Sequence, residues 1–143
     1  MNAKIAHYGE LENGFEYSIR DDGIHYYRLS DTKRVSVDAF FDVNLRISLD
    51  CADRDEHCRS LMDVTEMEFP TPYAVKRVQA LMRLKPDHLR TSFAVITQPS
   101  IFYALTGAIF NRMRQEEHNH VRMFTSKADA RQWLDDRLEE LGP

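Results

Sequence analysis

The segment Asp63–Val75, which reads D-V-T-E-M-E-F-P-T-P-Y-A-V, decides the interpretation of the fold because it joins a buried strand to a helix. The run Ser60–Val64 is short and apolar, which is typical of a strand buried on both faces. Thr71 can accept a hydrogen bond from a free amide of a first helical turn, and Pro72 lacks the N–H that would go unused there. A strand that leads into a helix in this way indicates a layered α/β domain.

The residues before this segment predict a hairpin and a helix. Apolar and polar residues alternate in Phe15–Ile19, as in a half-buried strand. Asp22-Gly23 then predicts a tight turn into a second strand, Ile24–Leu29, because Gly accepts a positive φ at low cost. From Val37 to Asp50 the apolar period becomes that of a helix, for which Ser36 is the expected N-cap. The polar run after this helix, C-A-D-R-D-E-H-C, has the composition of a loop.

The rest of the chain continues the alternation of helices and strands. The helix that opens at Thr71 ends at Lys85-Pro86, since Pro disfavours helix in the residue before it. Helices between strands require crossover connections, so the later strands should be parallel and the crossovers right-handed. The remaining expected elements are a strand at Ser92–Ile96, a helix at Ile101–Met113, a strand at Val121–Phe124 and a helix capped by Ser126.

Size and composition are those of an ordinary soluble protein. The chain has 143 residues, 43% of them hydrophobic and 29% charged, and this predicts one domain with a real core. Its formal net charge of −4 gives no global attraction to nucleic acid. No apolar run is long enough to span a bilayer, and the N-terminus has no apolar leader, so we expect a cytoplasmic protein. Cys51 and Cys58 are too few for a disulfide framework and are expected to be free thiols.

Four stretches of sequence carry a family resemblance. They are D-D-G-I-H-Y-Y-R-L from Asp21, S-L-M-D-V from Ser60, S-F-A-V-I-T from Ser92 and V-R-M-F-T-S-K-A-D-A-R-Q-W-L from Val121. With the order of elements, they resemble the STAS domain, the fold of bacterial anti-sigma factor antagonists, and more closely its SpoIIAA-like bacterial group. The resemblance covers residues 13–141 and leaves 1–12 as an extension. It implies a mixed, mostly parallel sheet with an N-terminal hairpin, packed by about four helices.

In the antagonists, the junction between this strand and helix carries Asp-Ser-Ser-Gly, whose Ser is phosphorylated. By the resemblance, that motif falls on Thr71, Pro72, Tyr73 and Ala74, and none of the four positions matches. Thr71 is the small hydroxyl that remains, and a phosphate at a helix N-terminus would be well placed. We favour a cap for Thr71 over a regulatory phosphosite, and the partner-switching mechanism is not carried over.

Two kinds of ligand site are suggested by single residues. Ligands of open α/β sheets gather at the carboxyl ends of strands, which makes Asp63, Thr71 and Tyr73 ligand-site candidates. For Asp63 we favour the alternative of a hydrogen bond to a loop amide. His118 and His120 form an H-x-H whose imidazoles suit zinc, although a solvated loop is the favoured interpretation. A second cluster of metal-ligand types is also interpreted as a surface loop: Cys51, Asp53, Asp55, His57 and Cys58.

No motif of a common enzyme class is present. The chain lacks a G-x-S-x-G elbow, a P-loop and a dinucleotide fingerprint, so neither catalysis nor a cofactor is expected. The second helix is basic, but a charge run of this kind is usually a solvated surface and, without interleaved aromatics, gives little support to nucleic-acid binding. Its basic residues are Lys76, Arg77, Arg83 and Lys85.

The segment Ile101–Met113 is apolar on almost every side, which a helix covering one face of a sheet does not need. It predicts either a homodimer through this helix or an apolar, lipid-like ligand between the helix and the sheet edge; intrachain packing is the plainer alternative. The leading hypothesis is therefore a non-catalytic STAS-like protein-interaction module, and a metal-dependent enzyme using His118 and His120 is a weaker one. The expected interaction surface comprises Ile101, Phe102, Leu105, Ile109, Phe110 and Met113.

Overall fold

The structure is a computed structural model, and it describes residues 14–67, 70–100 and 118–143. The extension 1–12 and the expected helix Ile101–Met113 lie outside these residues. The described part of the chain forms five strands and three helices. In chain order they are β1 (Phe15–Ile19), β2 (His25–Leu29), α1 (Arg34–Asp53), β3 (Cys58–Asp63), α2 (Pro72–Leu84), β4 (Thr91–Ile96), β5 (Asn119–Phe124) and α3 (Lys127–Leu141).

The five strands form one sheet in the order β1-β2-β3-β4-β5. β1 pairs antiparallel with β2, and the other neighbours are parallel. The hairpin turns where expected: Gly23 has a φ of +75° and its amide donates to the carbonyl of Arg20 over 3.0 Å. The α/β class, the mostly parallel sheet and the N-terminal hairpin are thereby confirmed.

Helices cover both faces of the sheet. Each parallel crossover moves one strand further in the same direction, so right-handed connections place α1 and α2 on the same face. That face has an aromatic core in which Tyr27 packs edge-on against Phe40 and is stacked with Phe93. α3 covers the opposite face, where Ala130 and Leu134 pack against strand residues and are fully buried. As expected for central strands under two layers, β3 and β4 are buried almost throughout.

The predicted starts of two helices are confirmed. The Thr71 hydroxyl accepts a hydrogen bond from the amide of Ala74 over 3.1 Å, with Pro72 as the first helical residue. Ser126 accepts from the amide of Asp129 over 3.3 Å at the start of α3. Among the described helices, none combines the length and the apolar character that a membrane crossing requires.

Three expectations along the chain are wrong. α1 begins at Arg34 with Lys33 as its N-cap, so Ser36 lies buried inside the helix and caps nothing. α1 also continues through Asp53, and β3 begins at Cys58, so the loop between them is shorter than the polar composition indicated. Lys85 follows the end of α2 and is buried, at 9% exposure, and does not belong to a solvated basic face.

Candidate functional site

Three side chains that can bind metal converge where the parallel strands begin. In a β-α-β unit the helix runs back antiparallel to the strands, so its last turn returns to the edge at which both strands start. His25 is the first residue of β2, Cys51 lies in the last turn of α1, and Cys58 is the first residue of β3. One ring nitrogen of His25 and the two sulfur atoms lie within 4.8 Å of one another. Both thiols are buried and free, and the imidazole is partly buried.

His25 is oriented by a contact with β1, the other strand of the hairpin. The Tyr17 hydroxyl is hydrogen-bonded to His25 Nδ1 over 2.7 Å, and the two rings stack with centroids 5.9 Å apart. Burial, followed by the nearby guanidinium of Arg59, lowers the pKa of His25 to about 4, and Asp50 opposes the shift. The imidazole is therefore neutral at pH 7, which is the form that binds metals.

The two thiols are not equivalent. A hydrogen bond from the Cys51 thiol holds the pKa of Cys58 below its ordinary value, and the Lys85 ammonium and the Ser60 hydroxyl act in the same direction against burial. The same hydrogen bond, together with burial, raises the pKa of Cys51. Burial lowers the pKa of Lys85, and the two sulfurs oppose that shift. Cys58 is accordingly the sulfur that carries negative charge more readily.

A buried hydroxyl lies on the same face of the sheet as this group of residues. The hydroxyl oxygen of Tyr27 is buried without a hydrogen-bond partner among the described residues. Burial raises the pKa of Tyr27, the charges of Cys58 and Cys51 add to the shift, and the side chain of Asn44 opposes it. An unsatisfied buried polar atom costs free energy, so this hydroxyl is a place where a bound molecule could supply a partner.

The structure separates the members of the second cluster of metal-ligand types, which extends from Cys51 to Cys58. Asp53 and Asp55 are exposed. His57 is buried elsewhere, with its Nε2 hydrogen-bonded to the Ser92 hydroxyl and its Nδ1 to the carbonyl of Gly142, each over 2.8 Å. Only the two cysteines of that set come together, so the surface-loop interpretation is wrong for them. Sequence reasoning missed His25, although its position at the start of a strand parallel to β3 was the available signal.

An apolar cavity of about 100 Å³ lies between α1, α2 and the sheet. Asn44 and Lys85 are the polar members of its described lining. Lys85 also borders the thiol cluster, and its Nζ lies 5.6 Å from the centroid of the Phe93 ring. The apolar lining is Leu29, Val37, Phe40, Met62, Val64, Met67, Pro70, Ala74, Val78, Leu81, Met82, Phe93, Val95 and Val121.

The ligand-site candidates at the carboxyl ends of the strands each have a partner within the chain. The Asp63 carboxylate accepts from the Thr65 amide over 2.8 Å and from the Thr65 hydroxyl over 2.6 Å, which is the kind of loop bond favoured for it. Thr71 caps α2. The Tyr73 hydroxyl donates to Asp38, and this bond is the main reason that the pKa of Tyr73 is raised. The three polar groups thus have separate partners in the described structure.

His118 and His120 are also engaged separately. His118 Nε2 is hydrogen-bonded to the carbonyl of Asp87 over 3.1 Å. The His120 ring packs against Trp133 with centroids 6.0 Å apart, and burial lowers its pKa. Within the described residues, the group of three donors that could hold a metal is His25, Cys51 and Cys58, and the H-x-H does not belong to it.

The expected interaction surface lies outside the described residues, in the segment 101–113. Its residues are Ile101, Phe102, Leu105, Ile109, Phe110 and Met113. The chain matches neither a known protein-family model nor a curated protein.

Proposed function

We propose that this protein is a non-catalytic, STAS-like binding module that holds a small apolar ligand between α1, α2 and the sheet. The observation that carries the proposal is the apolar cavity of about 100 Å³ at that place. Protein interiors are close-packed, and voids larger than a water molecule are few in a domain. A void of this size on one face of the sheet is a departure from that rule, and ligand sites of proteins are concave, mostly apolar spaces of this kind.

The cavity fits a short alkyl segment. A cavity of about 150 Å³ accepts a benzene ring, so this one takes roughly four carbon atoms without movement of the chain. α2 is also loosely seated: Ala74 and Leu81 are its buried residues, while Val78 and Met82 are only partly covered. A helix seated in this way can move outward by a small amount to admit a ligand.

The polar lining favours some headgroups over others. Lys85 supplies a buried cationic side chain and Asn44 a buried amide, with no acidic side chain in the described lining. The surface that faces the cavity is almost entirely apolar, so the charge of Lys85 acts on a ligand from a distance: it opposes an ammonium group and does not oppose a hydroxyl or a carboxylate. The proposed ligand is therefore an alkyl alcohol or alkyl carboxylate, or a larger molecule that ends in such a segment.

The test is thermal unfolding in the presence of hexanol, hexanoate and hexylammonium at equal concentrations. Binding to the native state raises the unfolding temperature by an amount that grows with the ratio of free ligand concentration to the dissociation constant. We expect hexanol and hexanoate to raise it and hexylammonium to leave it unchanged. Val78→Phe fills the cavity and should abolish the stabilisation, while Val35→Phe, at a residue 54% exposed, should retain it. Equal effects of all three compounds, or an unchanged response of Val78→Phe, would contradict the proposal.

The second candidate function is a protein-interaction module that forms a homodimer through Ile101–Met113. The specific observation in its favour is the sequence of that segment, which is apolar on almost every side. Light scattering at micromolar concentration should then give twice the chain mass, and Phe102→Glu should give the chain mass. A monomer at all concentrations would remove this candidate and leave the ligand proposal standing.

A further inference from the structure

We propose that His25, Cys51 and Cys58 form a binding site for a single zinc ion. The site is independent of the proposed ligand cavity, because it uses none of the apolar lining residues. It joins the start of β2 to the end of α1 and the start of β3, which the chain connects through residues 30–33 and 54–57.

The donor set has the chemistry of a zinc site. Thiolate sulfur and imidazole nitrogen are the common protein ligands of zinc, and three of them with a fourth open position are found in sites that keep a water. Bond lengths of about 2.3 Å to sulfur and about 2.0 Å to nitrogen place donor pairs of a tetrahedral site roughly 3.5 to 3.8 Å apart. The three donors already lie within 4.8 Å of one another, so binding requires side-chain adjustments of about 1 Å.

The imidazole is oriented as a metal ligand. A ligating His usually has its other ring nitrogen hydrogen-bonded, which fixes the tautomer and the ring. Tyr17 holds Nδ1 of His25, so Nε2 is the ligating atom and Nδ1 carries the proton, which it donates to the Tyr17 oxygen. The stacked Tyr17 ring restricts rotation of the imidazole about its own axis.

A second observation points to the open position. Tyr27 lies two residues along β2 from His25, on the same face of the sheet, and its hydroxyl is buried without a partner among the described residues. A water bound to zinc would give this hydroxyl its missing hydrogen bond. The charges also balance, since two thiolates neutralise Zn²⁺ and leave no net positive centre beside Lys85.

The test is titration of the reduced, metal-free protein with Co²⁺ and then Zn²⁺. We expect one equivalent of Co²⁺ to bind with a thiolate-to-cobalt charge-transfer band in the near ultraviolet, and Zn²⁺ to displace it. Cys58→Ser and Cys51→Ser should each abolish binding of one equivalent and diminish the band. Tyr17→Phe keeps all three ligands and should weaken binding by about 10- to 100-fold.

The matched control is the double variant His118→Gln/His120→Gln, which removes the other candidate metal motif and should bind as the wild type does. Circular dichroism of each variant establishes that it is folded. Should a cysteine variant fail to fold, the metal affinities of Tyr17→Phe and of the control, compared with the wild type, still test the site. The proposal is overturned if the folded, reduced wild type binds no stoichiometric metal, if Tyr17→Phe binds with unchanged affinity, or if the histidine double variant loses binding.

Discussion

Tyr26 connects the hairpin to α3 through a single hydroxyl group. It donates to the Asp22 carboxylate over 2.8 Å and accepts from Arg131 over 2.6 Å, and the Arg20 guanidinium lies 4.4 Å from the centre of its ring. Burial, followed by the bond to Asp22, raises the pKa of Tyr26 to about 12. One residue thereby links both ends of the described chain.

This pKa has a consequence for stability at alkaline pH. Between about pH 10 and about pH 12 the unfolded chain loses the tyrosine proton while native Tyr26 keeps it, so the native state binds more protons and stability falls as pH rises. Below about pH 10 both states hold the proton, so Tyr26 makes no contribution to the dependence of stability on pH there. Urea unfolding from about pH 9 to about pH 11 should show a smaller loss of stability in Tyr26→Phe than in the wild type. Equal losses in the two proteins would contradict this assignment.

For a single residue, the sequence indicates little about which side chains lie next to it in the folded protein. Cys51 and Cys58 look like ends of a polar loop because their sequence neighbours are charged, whereas the fold places them inside α1 and β3 and beside His25. Lys85 is a similar case. Its basic neighbours in sequence predict an exposed side chain, whereas its neighbours in space are thiols and an aromatic ring. Spatial neighbours decide burial, and they follow from tertiary contacts.

Elements are more predictable than single residues because their signals are local. The alternation in Phe15–Ile19, the turn at Gly23 and the caps Thr71 and Ser126 each act within a few residues, and all four are confirmed. The predicted bounds of α1 are wrong because its start has no such local signal. Its N-cap Lys33 makes no side-chain capping bond, so packing of the helix on the sheet sets its start.

The cap of α2 gives a prediction for an element. Thr71→Ala removes the acceptor of the Ala74 amide and should lower the free energy of unfolding by about 1 kcal/mol, within a range of about 0.5 to 2 kcal/mol. Thr71→Ser keeps the oxygen and should retain most of the stability. The measurement is urea unfolding followed by circular dichroism. Wild-type stability in Thr71→Ala would mean that the hydroxyl does not support the helix.

At the scale of the molecule, both helical layers depend on the same sheet. β3 and β4 contribute Met62 and Val95 to the core under α1 and α2, and Leu61 and Ile96 to the core under α3. The parallel direction of the later strands follows from the helical crossovers and was open to prediction. The cavity was not, because a void depends on how individual side chains interlock.

A shared sheet predicts that both faces unfold together. Leu134 is fully buried under α3, and Leu134→Ala should destabilise the protein by about 2 to 5 kcal/mol. Trp133, the chain's one tryptophan, packs on Phe124 and reports on this face by fluorescence, whereas circular dichroism reports on all elements. The two signals should give coincident transitions, shifted together in the variant. Separate transitions would show two independent units.

The most direct test of the central claim is methyl NMR of the protein during a titration with hexanol. Met62, Met67 and Met82 line the cavity, while Ile24 and Leu134 lie on the opposite face. A ligand held between α1, α2 and the sheet should shift the three methionine methyl resonances along one saturable curve and leave the methyls of Ile24 and Leu134 in place. Shifts that do not saturate, or that are equal on the two faces, would contradict the binding of an apolar ligand in this cavity.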